Sequence, residues 1–598
     1  MLVKAVPRSE AVRYDAATRR MDRDGVELVL NPFDARAVRV ALDLRRPGER
    51  VSVVSMGPPG SEPPLRRLRG FGVDRVLLLS DPALAGSDTL VTARVLVAGL
   101  ERTGHDVVLA GARTTDSDTG QVGAEVAALL GVPLVSEARS IRRDTDGPGF
   151  EVEVDTATGW ARARLSAPFV VSVDEKIAKP VPTDPGAAAP GPEGPVERFP
   201  LPALGLDADR VGAPGSPTIV GPIREAVFPR TPRIYAGGPL EDRVRSAIGA
   251  LSGLLARPPP REMELPPAPA PLDDGKEVLV LVTGGSGELE PFSLGLVSEV
   301  RRALPGHGPA AVWVGRPPSE AATFRLERAG TLAGYLVPAT DPDPRTAALA
   351  FDRVLALRPR AAGALFLSDP FGREVAGRLA AGRALGLIGD AVSLTVDPVA
   401  GIVGSKPSFG GRTVAEIRSR TRPVLLTVRP GTFPPASGSA PEGGFGWRTL
   451  PAVHLPPAVD WTASGRELEG FLGPESRDVL VAVGLGIGGP EGVARVRAQV
   501  GPWEAGIVAT RKVVDRGWVP RQLQVGLTGR ALAPRLAVLL GISGSPNHMT
   551  GWSRAPALLA VNRDPNAPVF RDVDVGIVGS IDEVLPALVE PVARLLRR

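Results

Sequence analysis

Four polar turns crowd the C-terminal stretch of this chain, and together they carry the residue types of a nucleotide cleft. They read ATRKVVDRGWVP (509–520), QVGLTG (524–529), GISGSPNHM (541–549) and VNRDPNAPVF (561–570). They offer backbone N–H groups, hydroxyls, the guanidinium of Arg511 and the imidazole of His548. Backbone N–H groups at a helix N-terminus suit a pyrophosphate. Thr528-Gly529, placed before an expected helix over 530–540, fits that role. Asn562 and Asp564, at the end of an expected strand, fit recognition of a ribose or base. One glycine-rich turn alone is a weak signal, since most are only tight turns; here several cluster.

Other chemistries find little support. The chain has no cysteine, which excludes disulfides, thiolate metal sites, Fe–S clusters and a Cys nucleophile. Its four histidines (His105, His307, His454 and His548) show no metal-ligand spacing, so no metal site is expected. No general acid, base and nucleophile form a convincing set.

The elements that must position these turns are legible as alternation. VSVVSMG, RVLLLS, DVVLAG and FVVSVD read as buried strands, with ARAVRVALDLR, TARVLVAGLERTG and GAEVAALLG as helices. The pattern restarts with EVLVLVTGG, AAVWVG, GYLVPA and GALFLSDP, and a third time near 478 with DVLVAVGLGIGG, GIVAT, a helix APRLAVLLG, a strand ALLAVN and a closing helix from Ile581. Such alternation implies βαβ units, so the expected fold class is α/β with three parallel-sheet, Rossmann-like units. At 598 residues the chain has room for about three or four domains. Pro-rich stretches near 180–200 and 257–272 read as semi-rigid spacers. Between them, LEDRVRSAIGALSGLLA reads as one helix tied onto a neighbouring domain. The net charge of +4 is spread along the chain with no Lys/Arg block, so no nucleic-acid partner is expected. No apolar run approaches the roughly 20 residues that span a bilayer, and no secretory signal is evident; a soluble, cytoplasmic protein without membrane insertion is expected.

The motifs also carry a resemblance. Residues 509–582 resemble the FAD-binding domain of the electron transfer flavoprotein (ETF) alpha subunit, whose pattern runs SR-x-x-VD-x-G-W-VP, QVGQTG, GISG-x-x-QH and a-I-N-K-D-P-x-A-P-I-F. DPFGREVAGRLAAGRALGLIGDAVSL and RPVLLTVRPGTF resemble the alpha subunit's N-terminal domain, and NPFDARAVRVALDL (31–44) with GARTTDSDTGQVGAEVAALLGVP (111–133) resembles the beta subunit. The chain thus resembles a beta–alpha fusion, a pseudo-heterodimer within one chain. The implied divisions are a beta-like domain with a C-terminal arm (1–256), a Pro-rich linker (257–275), an alpha N-terminal-like domain (276–432), a hinge (433–475) and an FAD-binding domain (476–598).

The resemblance implies site residues. Arg511 would lie over the flavin ring and Thr528 near N5. His548 would lie near the C2 carbonyl, where a protonated imidazole would stabilise an anionic semiquinone. Thr510, Gln524, Val525, Gly526, Leu527, Ser543, Gly544, Asn547, Asn562, Asp564, Ser580 and Ile581 would line the rest of the cofactor, while Trp518 reads as core. In the beta-like part a second nucleotide, AMP or a second FAD, would meet Asn31, Pro32, Phe33, Asp34, Met56, Asp116, Thr119, Gly120, Gln121, Val122 and Gly123; alternatively that loop only braces the alpha part. The implied function is an FAD electron carrier rather than a substrate-converting enzyme. It would accept electrons from a flavin-dependent dehydrogenase, as in fatty acid oxidation, and pass them to an ETF–quinone oxidoreductase-like acceptor. The alternatives are an electron-bifurcating, NADH-oxidising form with two FADs and a non-redox nucleotide-binding scaffold.

Several positions depart from the family pattern. Leu485 stands where an Arg meets the FAD phosphates, Leu527 replaces Gln, Asn547 replaces Gln, Thr510 replaces Ser and Ser580 replaces a ribose-binding Asp. DEKIAKPVPTDPGAAAPG replaces the usual partner-docking segment, which points to a different dehydrogenase. The opening LVKAVPR leaves room only for a short first strand or reflects a late start.

Overall fold

The computed structural model describes the chain except for residues 9–11, 16–19, 23–24, 145–146, 157–158, 184–188, 226–229, 257–264, 267–273, 285, 341, 409–412, 437–443, 467–476, 527–528 and 598. Most of the second Pro-rich spacer, smaller parts of the first and of the 433–475 hinge, and Leu527 and Thr528 in the candidate site therefore lie outside the described residues.

In the first unit, Ser52–Met56, Arg75–Leu79 and Glu197–Phe199 form one parallel ladder, and Val107–Gly111 pairs with Phe169–Val173 and then Leu134–Arg143 in another. Residues 1–3 stitch the two together. Val3 N donates to Val54 O and Leu2 N to Leu109 O, and Leu2 forms a single parallel bridge with Val54 rather than a strand. An antiparallel layer follows, Phe150–Asp155 beside Gly159–Leu165. Its signature is a period of two: FEVEV buries alternate residues, the pattern of a strand wet on one side.

The second unit is a seven-stranded sheet ordered Leu387–Ala391, Val424–Val428, Gly363–Leu367, Glu277–Leu281, Gly308–Gly315, Ala333–Pro338 and Trp447–Thr449, every pair parallel. Its central strands Gly363–Leu367, Gly308–Gly315 and Val424–Val428 are uncharged and fully buried, as strands covered on both faces are. The third unit is a six-stranded parallel sheet ordered Arg233–Tyr235, Val575–Val578, Leu558–Asn562, Leu536–Leu540, Val479–Val483 and Gly506–Ala509.

One expectation is overturned here. APRLAVLLG is not helical: Leu536–Leu540 is the central strand of the third sheet, with all five residues buried. A short apolar run has no periodicity that separates strand from buried helix, and pairing on both sides decides it. Consequently no helix spans 530–540, and the helix N-terminus expected before it as a pyrophosphate seat is absent.

The units are cross-laced by the arm that closes the first one. Thr218–Glu225 pairs with Thr413–Ser419 of the second unit, and Arg233–Tyr235 extends the third sheet. The helix Leu240–Leu255 then packs on Ile581–Leu596, burying Val244, Ala247, Leu251 and Leu255. Each fully buried Leu or Val contributes about 1.5–3 kcal/mol. In return, Asp460–Arg466, from the expected hinge, pairs with Gly159–Leu165 of the first unit.

Candidate functional site

The third sheet reverses direction of winding between Val479–Val483 and Leu536–Leu540, since its second strand lies outside the first and its third on the other side. Ligands of open parallel sheets sit beyond the carboxyl ends at such a switch point. A cavity of about 200 Å³ lies there. The turns after four strands frame it: Gly486 and Ile487, Gly541, Asn562 and Arg563, and Gly579 to Asp582. The cradle requires glycine: a Cβ on Gly486 would stand 2.8 Å from the Gly541 Cα, so only bare backbone lets the two turns meet.

Within that cavity the expected polar groups are partly committed elsewhere. Asn562 Nδ2 donates to Ile542 O at 2.9 Å and its Oδ1 accepts from Asp564 N at 3.0 Å; Asn562 braces the strand end. The Ser580 hydroxyl accepts from Asp582 N at 3.3 Å and caps the last helix. Ile581 packs partly on the core, and the Asp564 side chain is exposed and accepts from Asn566 N at 2.9 Å. Leu485 also packs on the core and is not among the lining residues. Two cations missed in the sequence do line it, Arg495 and Arg563. Arg495 stands 3.6 Å from Asp582. Their signal was positional: one lies on the helix after the glycine turn and one directly follows Asn562.

At the other end of the carboxyl edge, Thr510 precedes the short helix Arg511–Asp515. Arg511 is half exposed and its Nη1 lies 2.9 Å from Glu175 Oε2 of the first unit. Burial pushes the Glu175 carboxyl up, against the pull of Arg511. Val525 and Gly526 pack on the turn that carries Asn547 and His548; a Cβ on Gly526 would meet Asn547 O at 2.6 Å. Gln524 is buried and its backbone N–H bonds Arg521 O. Ser543 and Asn547 are exposed, Gly544 is closed down on Val569, and Trp518 is half-buried against the core.

His548 differs from its implied role. It is buried, its Nδ1 lies 3.0 Å from Val525 O and its Nε2 accepts from Trp552 Nε1 at 3.0 Å. Burial pushes its pKa down to about 4. The imidazole is neutral, with both nitrogens spent inside the protein, so a protonated imidazole is not what this arrangement offers.

The second candidate region, on the first unit, is turned largely inward. Asn31 Nδ2 donates to Arg113 O at 2.9 Å. Asp34 accepts from Lys4 N and Gly111 N, and burial pushes its carboxyl up to about 7. Asp116 pairs with Lys4 at 2.7 Å. Phe33 and Gln121 are buried. Pro32, Met56, Thr119, Gly120, Val122 and Gly123 stay partly accessible. The loop also binds the second unit: Glu137 lies 3.0 Å from Arg113 and 2.7 Å from Arg373, and Lys406 donates to Ser117 O at 2.5 Å.

Three parallel sheets, with a switch-point cavity rimmed by arginines, define a nucleotide-binding α/β protein. Comparison with known proteins then narrows the class. The sequence profile of the Electron transfer flavoprotein domain matches residues 18–204 and 278–446, and that of the Electron transfer flavoprotein FAD-binding domain matches 475–553. An electron transfer flavoprotein subunit alpha of Mycobacterium tuberculosis is 34% identical over 321 residues, covering 53% of this chain and 98% of that protein. A subunit beta of Thermoanaerobacterium thermosaccharolyticum is 30% identical over 254 residues, 42% of this chain and 96% of that protein. Protein FixB of Rhizobium meliloti is 29% identical over 335 residues, 54% of this chain and 94% of that one. The chain belongs to the electron transfer flavoprotein family, and its length accommodates both subunits in one polypeptide.

Proposed function

We propose that this chain is an electron carrier that holds FAD along the carboxyl edge of its third sheet. The observation that carries the reading is the switch-point cavity with its glycine cradle and its two arginines. When bound, FAD supplies the redox chemistry that the side chains themselves lack. Arg495 and Arg563 would hold the diphosphate, with one side of helix Pro490–Gln499 and the start of helix Ile581–Leu596 facing the same cavity; the dipole of the latter favours an anion there. Thr510, Arg511, Ser543 and Asn547 line the other end, with Arg511 supplying positive charge when it is not neutralised by Glu175. The turn Gln524–Gly526 and Gly544 shape the floor.

Electrons come from a flavin-dependent dehydrogenase and leave to a quinone oxidoreductase-type acceptor. Fusion fixes the ratio of the two halves and raises their mutual effective concentration to roughly millimolar for a short tether. A second adenine nucleotide, AMP or another FAD, binds at the accessible edge formed by Pro32, Met56, Thr119, Gly120, Val122 and Gly123. Support for it is the trio of buried polar atoms without protein partners, Asn31 Oδ1, Ser55 Oγ and Gln121 Nε2. Acid release of nucleotides tests the whole reading: FAD with AMP supports the carrier, two FADs support the bifurcating form, and no flavin removes both.

A further inference from the structure

Trp552 lies one helical turn after His548, and the two side chains meet with ring planes 70° apart. The indole Nε1–H can only donate, so the Nε2 it reaches at 3.0 Å must carry no hydrogen. The Val525 carbonyl can only accept, so the Nδ1 that lies 3.0 Å from it must carry one. The two partners therefore admit a single tautomer and leave no place for a second proton. Both residues are buried, Trp552 completely.

We propose that Trp552 is a positioning residue that locks His548 in the neutral Nδ1–H form, so that the cleft of this chain presents a fixed, uncharged imidazole where a titratable one would otherwise stand. The lock also ties the turn bearing Val525 to the turn bearing His548. The ionised groups on the elements packed around the pair reinforce it. Arg230, which pairs with Asp574, points Nη2 at the Trp552 carbonyl at 3.4 Å. Arg530 closes the turn from Gln524, Arg554 follows Trp552 and lies 3.9 Å from Glu299, and Arg429, paired with Asp390, lines the gap behind Thr550 and Gly551. Four guanidiniums against three carboxylates oppose a further positive charge, in the same direction as burial. Substituting Trp552→Phe keeps the ring volume and removes the donor, which frees Nε2 to take a proton.

Only the consequence for flavin rests on the FAD reading, and the test separates the two. The full-length chain is labelled with ¹⁵N-imidazole histidine and followed from about pH 5 to pH 8, the range in which an ordinary His titrates; His548→Gln assigns the signal. Expected is an Nδ1–H tautomer that does not titrate over this range in the wild type, and in W552F a loss of the single fixed tautomer with the His548 titration shifted upward from its wild-type position. In the FAD-loaded protein, W552F then acquires a pH-dependent step in flavin potential that the wild type lacks. A wild-type His548 that titrates near 6, which needs no variant to observe, overturns the proposal. So does a W552F protein whose tautomer and titration are unchanged. A chain without FAD leaves the NMR result standing and counts only against the cofactor reading.

Discussion

Arg521 and Asp174 form a two-pronged ion pair across the seam between the first and third units, Nη1 to Oδ1 at 2.6 Å and Nη2 to Oδ2 at 2.5 Å. Asp155 adds a contact to Arg521 at 3.2 Å, and Gln522 Nε2 donates to Gly159 O at 2.8 Å. Asp174 is only 5% exposed, so removing its charge takes the two-pronged partner from a mostly buried guanidinium and leaves it only the Asp155 contact. Asp174→Asn should therefore cost about 3 kcal/mol at the seam, read as a lower urea midpoint and faster proteolysis between the units. An unchanged midpoint would show that the seam is held by other contacts.

The neighbouring pair reaches the proposed cofactor. With Nη1 2.9 Å from Glu175, Arg511 is partly neutralised. Arg511→Ala should lower the flavin potential and Glu175→Gln should raise it, each by on the order of 30 mV, the two-electron equivalent of a tenfold change. Spectroelectrochemical titration of both variants checks the opposite signs; shifts of the same sign would remove Arg511 from this role.

The diphosphate assignment is tested through affinity. Arg495 and Arg563 line the cavity whereas Leu485 packs on the core. Alanine at both positions should weaken FAD binding about 100-fold, roughly tenfold for each lost charge-assisted contact. Adding Leu485→Arg to that double variant should recover part of the loss. Equilibrium dialysis against FAD measures both, and full affinity in the double variant contradicts the assignment.

Acid should loosen the joint between the first and second units. Burial opposes ionisation of Glu137, but Arg113 and Arg373 outweigh it and bring the carboxyl down to about 2, from an ordinary 4.5. Because the folded value is depressed, the contribution is whole above about pH 4.5 and is lost as pH falls toward 2. It amounts to about 3 kcal/mol. The melting temperature should fall across that window in the wild type and less steeply in Glu137→Gln; parallel curves would assign the acid sensitivity elsewhere.

Much of this architecture is written locally. Runs such as VVLAG, FVVSV and VLVAV are β-branched, short and bounded by polar turns, so they announce buried parallel strands. Leu536–Leu540 fails that reading because LAVLL is rich in good helix formers and only its two partner strands make it extended. The FEVEV and WARAR strands carried a period of two that marks an antiparallel layer. Motif spacing led to the turns but not to the commitments of their side chains. Nothing near Asn562 foretells that Ile542 O would occupy its amide. Trp552 sits at the helical spacing that lets it cap His548, yet its donor role depends on a buried contact. Arg521 and Asp174 are 347 positions apart, beyond any local signal.

The most direct test of the account's core is the absorbance spectrum of the purified full-length chain, with its nucleotides identified after acid release. A yellow protein that releases FAD, and loses it when Arg495 and Arg563 are both replaced by alanine, is the expected result. A colourless protein that takes up no FAD on titration would contradict it.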